Sequence, residues 1–179
     1  MDFDIRDMPT RDMLQRISAQ VPEIDVPATE MLLLFMRTSF NMFRVSSEGF
    51  EQFGISPGKY ALLILLYRHL DKGLPASELA ERASVTKATV TGLVERLERD
   101  GLVRRRNHAS DRRISIIYLS EQGLELMERL LPVHFRSASY LMSGLSETER
   151  TLLLELIGKI EANIPAAHAV YRNHPSAPS

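Results

Sequence analysis

Two short motifs in this chain carry residue types that perform known reactions, but neither has the context its chemistry needs. Gly54-Ile55-Ser56-Pro57-Gly58 has the spacing of a nucleophile elbow, in which a serine hydroxyl attacks an acyl carbon. The elbow needs a buried strand before the serine, and Glu51-Gln52-Phe53 makes a poor one. The residue after the serine must also donate its backbone N–H to the oxyanion. Here that residue is Pro57, which has no N–H. Ser56 followed by Pro57 reads instead as a helix start, with serine at the cap and proline in the first turn. Gly58-Lys59 is no phosphate loop: the upstream glycine is one residue too close, and Tyr60 stands where Ser or Thr would hold magnesium. The five histidines, His69, His108, His134, His168 and His174, include no i, i+4 pair. There is no cysteine, which excludes disulfides, thiol redox sensing and thiolate metal sites. No metal, no cofactor and no enzymatic activity are expected.

The chemistry that survives is that of a polyanion partner. Arg104, Arg105, Arg106, Arg112 and Arg113 crowd a stretch with one aspartate, Asp111. Duplex DNA suits such a concentration of charge. A charged strand edge that resists aggregation is the dull reading of Arg104–Arg106. It leaves the second cluster beside Asp111 unexplained. Upstream, Lys87, Thr89, Thr91 and Arg96 fall away from the apolar stripe of Val90, Leu93, Val94 and Leu97. Their amine, hydroxyls and guanidinium can reach base edges or phosphates.

The elements that must position these groups can be read around them. Residues 77–83 form a short helix, and Ser84-Val85-Thr86 a turn with Val85 buried beside the small Ala80. A second helix spans about 87–100 with Thr86 as N-cap, and Gly101 follows it in a left-handed conformation. Leu102–Arg106 and Arg112–Leu119 read as two strands of a hairpin, with Asn107–Asp111 as its polar turn. A helix for the major groove next to an arginine-tipped ribbon has few other uses.

Gly101-Leu102-Val103-Arg104-Arg105, then Asp111-Arg112-Arg113, then Leu119-Ser120-Glu121-Gln122-Gly123 resemble the MarR family of winged-helix transcriptional regulators. The resemblance covers about residues 29–164. Leu131–His134 and Leu145–Glu149 are similar to the EmrR-like branch. The resemblance implies a mainly α fold with a small β-hairpin wing, a homodimer, a palindromic duplex operator and repression relieved by a small aromatic or phenolic ligand. The candidate DNA contacts read from the residues are Thr86, Lys87, Thr89, Thr91, Arg96, Arg104, Arg106, Arg112 and Arg113; the resemblance adds the role of the wing tip. Arg112 or Arg113 would enter the minor groove. Asp111 would organise the wing by pairing with Arg104 or Arg105. Met36, Phe40, Phe43, Arg44 and Tyr60 combine an apolar lining with a cation and are the candidate ligand residues, although Met and Phe at this spacing also make ordinary core.

Outside the reader the chain reads as helical. A short helix covers 10–21, with Met13, Leu14, Ile17 and Val21 on one stripe, and Pro22 and Pro27 make a linker. Helices follow at about 29–50, 56–70 and 120–142, the last with a kink or break at Pro132. Ser146 and Glu149 form a capping box for a final helix that ends before Pro165. This divides the chain into an N-terminal extension (1–27), a winged-helix domain (28–164) and a loose tail (165–179). The DNA lobe covers about 56–119, and dimerisation helices cover about 29–50 and 120–164. The net charge of −1 hides the local concentration of arginine, since residues 1–27 carry six acids against three arginines. The apolar runs at 31–36 and 60–67 are too short to span a bilayer, and the acidic N-terminus lacks a leader pattern, so a cytoplasmic protein without membrane contact is expected. The competing function classes are a helical protein-interaction module and a hydrolase built on Ser56.

Overall fold

A computed structural model describes residues 8–107 and 115–173. His108, Asp111, Arg112, Arg113 and Ile114 therefore lie outside the described residues, as does 174–179. The elements run α1 (Arg11–Ser18), α2 (Val26–Gln52), α3 (Pro57–Tyr67), β1 (Leu74–Pro75), α4 (Ala76–Arg82), α5 (Lys87–Arg99), β2 (Val103–Asn107), β3 (Ser115–Leu119), α6 (Glu121–Leu141) and α7 (Glu147–Asn173). The chain divides into two compact units, Met1–His134 and Phe135–Ser179.

The first unit holds the core. Leu62, Leu63 and Leu66 of α3 meet Leu79 and Ala80 of α4, Val90, Val94 and Leu97 of α5, and Leu126, Met127, Leu130 and Leu131 of α6 in one buried cluster. Val103, Ile117 and Leu119 close it from the sheet, and Phe50 and Ile55 close it from the end of α2. Each leucine in such a cluster contributes roughly 1.5–3 kcal/mol through burial. The capping residues behave as their chemistry requires. Ser56 Oγ accepts the Lys59 N–H at 3.3 Å, and Thr86 Oγ1 accepts the Thr89 N–H at 3.1 Å. Gly101 takes φ +73° and ends α5.

Several elements differ from the sequence expectation, each for a physical reason. The hairpin is part of a three-stranded sheet in the order β1-β3-β2. β1 pairs Leu74 with Ile117 and Pro75 with Ile116. A two-residue strand leaves no periodicity to read, and proline fits it only because an edge strand tolerates a missing N–H. Helix α2 begins at Val26, because Asp25 Oδ1 accepts the Ala28 N–H at 3.0 Å. Pro27 thus sits in its first turn, where its missing N–H costs nothing, and not in a linker. Val85 is 40% exposed, not buried; Ala80 alone faces the core there. Met13 and Val21 are likewise exposed, and only Leu14 of that stripe is buried. Helix α6 runs through Pro132 unbroken.

The second unit contains α7. Its capping box is formed: Glu149 Oε2 accepts from the Ser146 N–H at 2.8 Å, and Ser146 Oγ accepts the Glu149 N–H at 3.3 Å. That hydrogen bonding holds the Glu149 carboxyl below its ordinary pKa. The helix does not end before Pro165 but continues through it to Asn173, so 165–173 is not a loose tail. Ala166, Ala167 and Ala169 are strong helix formers, and the carbonyl left without a donor lies in an exposed stretch where water can serve it. No described residue of this unit is buried in the single chain.

Candidate nucleic-acid interface

Helix α5 has a buried side and a reading side. Val90, Val94 and Leu97 are at most 2% exposed, whereas Thr86, Lys87, Thr89 and Thr91 all face solvent. The Thr86 and Thr89 hydroxyls hydrogen-bond each other at 2.8 Å, and Thr91 donates its hydroxyl hydrogen to the Lys87 carbonyl at 2.9 Å. Arg96 lies in the last turn, exposed and two turns and more beyond Lys87.

The helix is braced twice at its C-terminal end. Its C-cap residue Asp100 receives Lys59 Nζ of α3 at 2.5 Å, an ion pair in which the lysine is largely covered. Glu98 Oε2 accepts from Arg105 Nε of β2 at 3.0 Å. Partly exposed pairs of this kind contribute about 0–1 kcal/mol each, so their main effect is to fix the position of strand and helix. Opposite residues of an antiparallel pair share a face, and Arg104 lies across from Tyr118 and Arg106 from Ile116. Arg104 and Arg106 therefore share one face of the sheet, while Arg105 points the other way, toward α5. The sequence reading left Arg105 among the partners open to Asp111. The alternation along the strand was the signal that could have separated it from its neighbours.

The proposed ligand residues are not gathered in one place. Met36 and Phe43 are exposed on α2, and Arg44 pairs with Glu48 one turn along at 3.8 Å. Phe40 is half-buried. Tyr60 instead stacks on Phe50, ring centroids 4.2 Å apart, and His134 lies 5.1 Å from both rings. Burial raises the Tyr60 phenol above its ordinary pKa and lowers the His134 imidazole below its own. A histidine disfavoured as a cation in the fold supports stability fully above its unfolded pKa, about 6.5. That support is lost as pH falls from there through the lowered folded value. The melting temperature is thus expected to fall on acidification, and His134→Phe, which keeps an aromatic ring in the stack, should flatten that fall. An unchanged acid slope in the variant would overturn the assignment.

Three comparisons bear on this arrangement. The model of the MarR family matches residues 55–115, which run from the start of α3 to the start of β3. The HTH-type transcriptional repressor YetL of Bacillus subtilis is 34% identical over 158 residues, covering 88% of this chain and 95% of that protein. The chain belongs to the MarR family. The HTH-type transcriptional regulator PecS of Dickeya dadantii is 27% identical over 157 residues, covering 86% of this chain and 93% of that protein. Among solved structures, the Staphylococcus aureus MepR–DNA complex superposes with a TM-score of 0.67 at 30% identity, over 74% of this chain and 96% of that one. The sheet thus corresponds to the wing of a winged-helix fold, and the chain is a MarR-type, DNA-binding transcriptional regulator. These relatives are regulators and not enzymes, and Ser56 is a helix cap, so the hydrolase reading falls.

Proposed function

We propose that the chain is a homodimeric repressor that reads a palindromic duplex operator and is released by a small aromatic or phenolic ligand. The observation that carries the DNA half is helix α5: an apolar side sealed in the core, an exposed start of Thr86, Lys87 and Thr89, and a last turn tied to the arginine strand by the Arg105–Glu98 pair. Thr91, Arg96, Arg104 and Arg106 extend the contact surface, and Arg112 and Arg113 supply the minor-groove arginine with Asp111 as its organiser. Residues of about 56–119 make the DNA lobe in this reading. The solved DNA complex of MepR, and the repressor YetL at 34% identity, support it.

Dimerisation is supported by apolar surface that the single chain leaves uncovered. On α7, Leu152, Leu154, Leu156, Ile160 and Ile164 are each 44–72% exposed. On α2, Met31, Leu32, Leu34 and Phe35 are 39–63% exposed. Two-fold DNA sites require two readers one helical turn apart, and a C2 dimer supplies them. This absorbs the competing interaction-module reading, with a second copy as the partner. The effector role stays with Met36, Phe40, Phe43, Arg44 and Tyr60. Among the described residues no helix is long and apolar enough to cross a membrane; a repressor acts where the chromosome is, in the cytoplasm.

Light scattering should give twice the 20.3 kDa chain mass at micromolar concentration. Selection from random duplexes should yield an inverted repeat. A monomer, or a pool without enriched sequence, would refute the corresponding half.

A further inference from the structure

Helix α5 carries a glycine in its interior that the fold does not account for. The helix runs unbroken from Lys87 to Arg99, with Gly92 near its middle. Only proline is less favourable than glycine in a helix interior, because the glycine backbone loses so much freedom there. Other glycines of this chain have reasons inside the fold. Gly101 takes φ +73°, and a Cβ at Gly73 or Gly123 would run into a backbone carbonyl oxygen. Gly92 has neither reason. Its φ is not positive, and among the described residues no atom stands within 4 Å of where its Cβ would be. Alanine would therefore fit the folded chain and hold the helix better.

Its place on the helix says what the open space is for. At 3.6 residues per turn, Gly92 lies about 160° round the helix from Val90 and from Val94. Both valines are sealed in the core, so Gly92 is central on the outward side. Ala88, Thr89 and Thr91 around it are exposed. The two threonines are short. For their hydroxyls to meet base edges, the backbone of α5 must come close to the groove floor. A major groove about 12 Å wide and 8.5 Å deep takes a helix about 10–12 Å across with little clearance. A side chain at the outermost position would hold the helix off and lift both threonines from the bases.

The geometry points to Gly92 as the position where the backbone of α5 meets the edges of the base pairs. It is a determinant of specificity that acts through the absence of a side chain. The glycine costs helix stability and lets the short readers beside it reach the bases. This inference rests on the DNA-binding reading of α5.

The test compares Gly92→Ala, Gly92→Leu and Thr89→Ala in the full chain. The probes are the inverted repeat taken from the random-duplex selection and an unrelated duplex of the same length. Gly92→Ala should melt roughly 2–4 °C higher than wild type. It should nevertheless bind the selected duplex about tenfold more weakly, and Gly92→Leu more weakly still. On the unrelated duplex, held by its phosphates, the loss should be smaller. Stability and affinity thus move in opposite directions, which a purely structural role of the glycine would not produce. A lower melting temperature for Gly92→Ala means that the fold needs the glycine, and overturns the inference. An equal loss on both duplexes puts the clash at the phosphates and overturns it too. If Gly92→Ala binds the selected duplex as wild type does while Thr89→Ala loses affinity, the close approach is wrong and the reading helix stands. If both bind as wild type does, the DNA-binding reading of α5 falls and this inference with it.

Discussion

Gly123→Ala should lower the stability of the chain by about 3 kcal/mol, near the upper end of what overpacking costs. Gly123 lies in the first turn of α6, and a Cβ built there overlaps the Leu102 carbonyl oxygen and stands 3.1 Å from Leu119 Cδ2. A flexible side chain could yield, but here the obstacle is backbone, and it is tied from both sides. The Leu102 carbonyl accepts the Ser120 N–H at 3.1 Å. Ser120 Oγ donates to the Gly101 carbonyl at 2.5 Å and accepts the Gly123 N–H at 3.0 Å. Moving Leu102 away breaks the lock that joins the end of α5 to the start of α6. Urea unfolding should show a lower midpoint with an unchanged slope. A midpoint within error of wild type would mean that α6 can shift along its neighbour, and the lock would not be rigid.

Lys87→Ala and Thr89→Ala should each weaken operator binding by about 1–3 kcal/mol if the side chain meets a base edge. The structure makes Thr89→Ala the cleaner of the two. The cap of α5 is the Thr86 hydroxyl acting on the Thr89 backbone N–H, which the substitution leaves in place. Operator affinity should thus drop while the melting temperature holds. Thr86→Ala should do the reverse for stability, losing about 1 kcal/mol with the cap. Lys87→Ala is read on two duplexes. A loss confined to the operator marks a base contact, and an equal loss on unrelated duplex marks a phosphate contact. Full operator affinity in both variants would show that the reading side of α5 is misassigned.

What the sequence made legible was local chemistry. Ser56, Thr86 and the Ser146–Glu149 box announce their helices because a cap is a contact across three residues. The apolar stripe of α5 fixed its buried side, and with it the exposure of Lys87 and Thr89. The features that stayed hidden depend on residues far apart in the chain. Arg105 could not be told from Arg104 and Arg106 until the register against β3 put it opposite Ile117 and beside Glu98. Lys59 and Asp100, an ion pair across 41 residues, gave no local sign. Gly123 stood inside a motif, but its reason lies in the Leu102 carbonyl that it must clear. Pro165 misled in the opposite direction: a single breaker was weighted above the alanines that follow it.

The hydroxyl of Thr91 has already given its hydrogen to the Lys87 carbonyl. Facing outward it offers only lone pairs and a methyl group. Any base edge that hydrogen-bonds to it must therefore donate, which in the major groove means the exocyclic amine of adenine or cytosine. Guanine, with two acceptors there, finds no partner in Thr91, whereas the thymine methyl can rest against its Cγ. Thr86 and Thr89 share one hydrogen between them and so keep the other for donation. The vocabulary of this helix is therefore asymmetric along its length: its start can address an acceptor, and one turn later it can only listen for a donor.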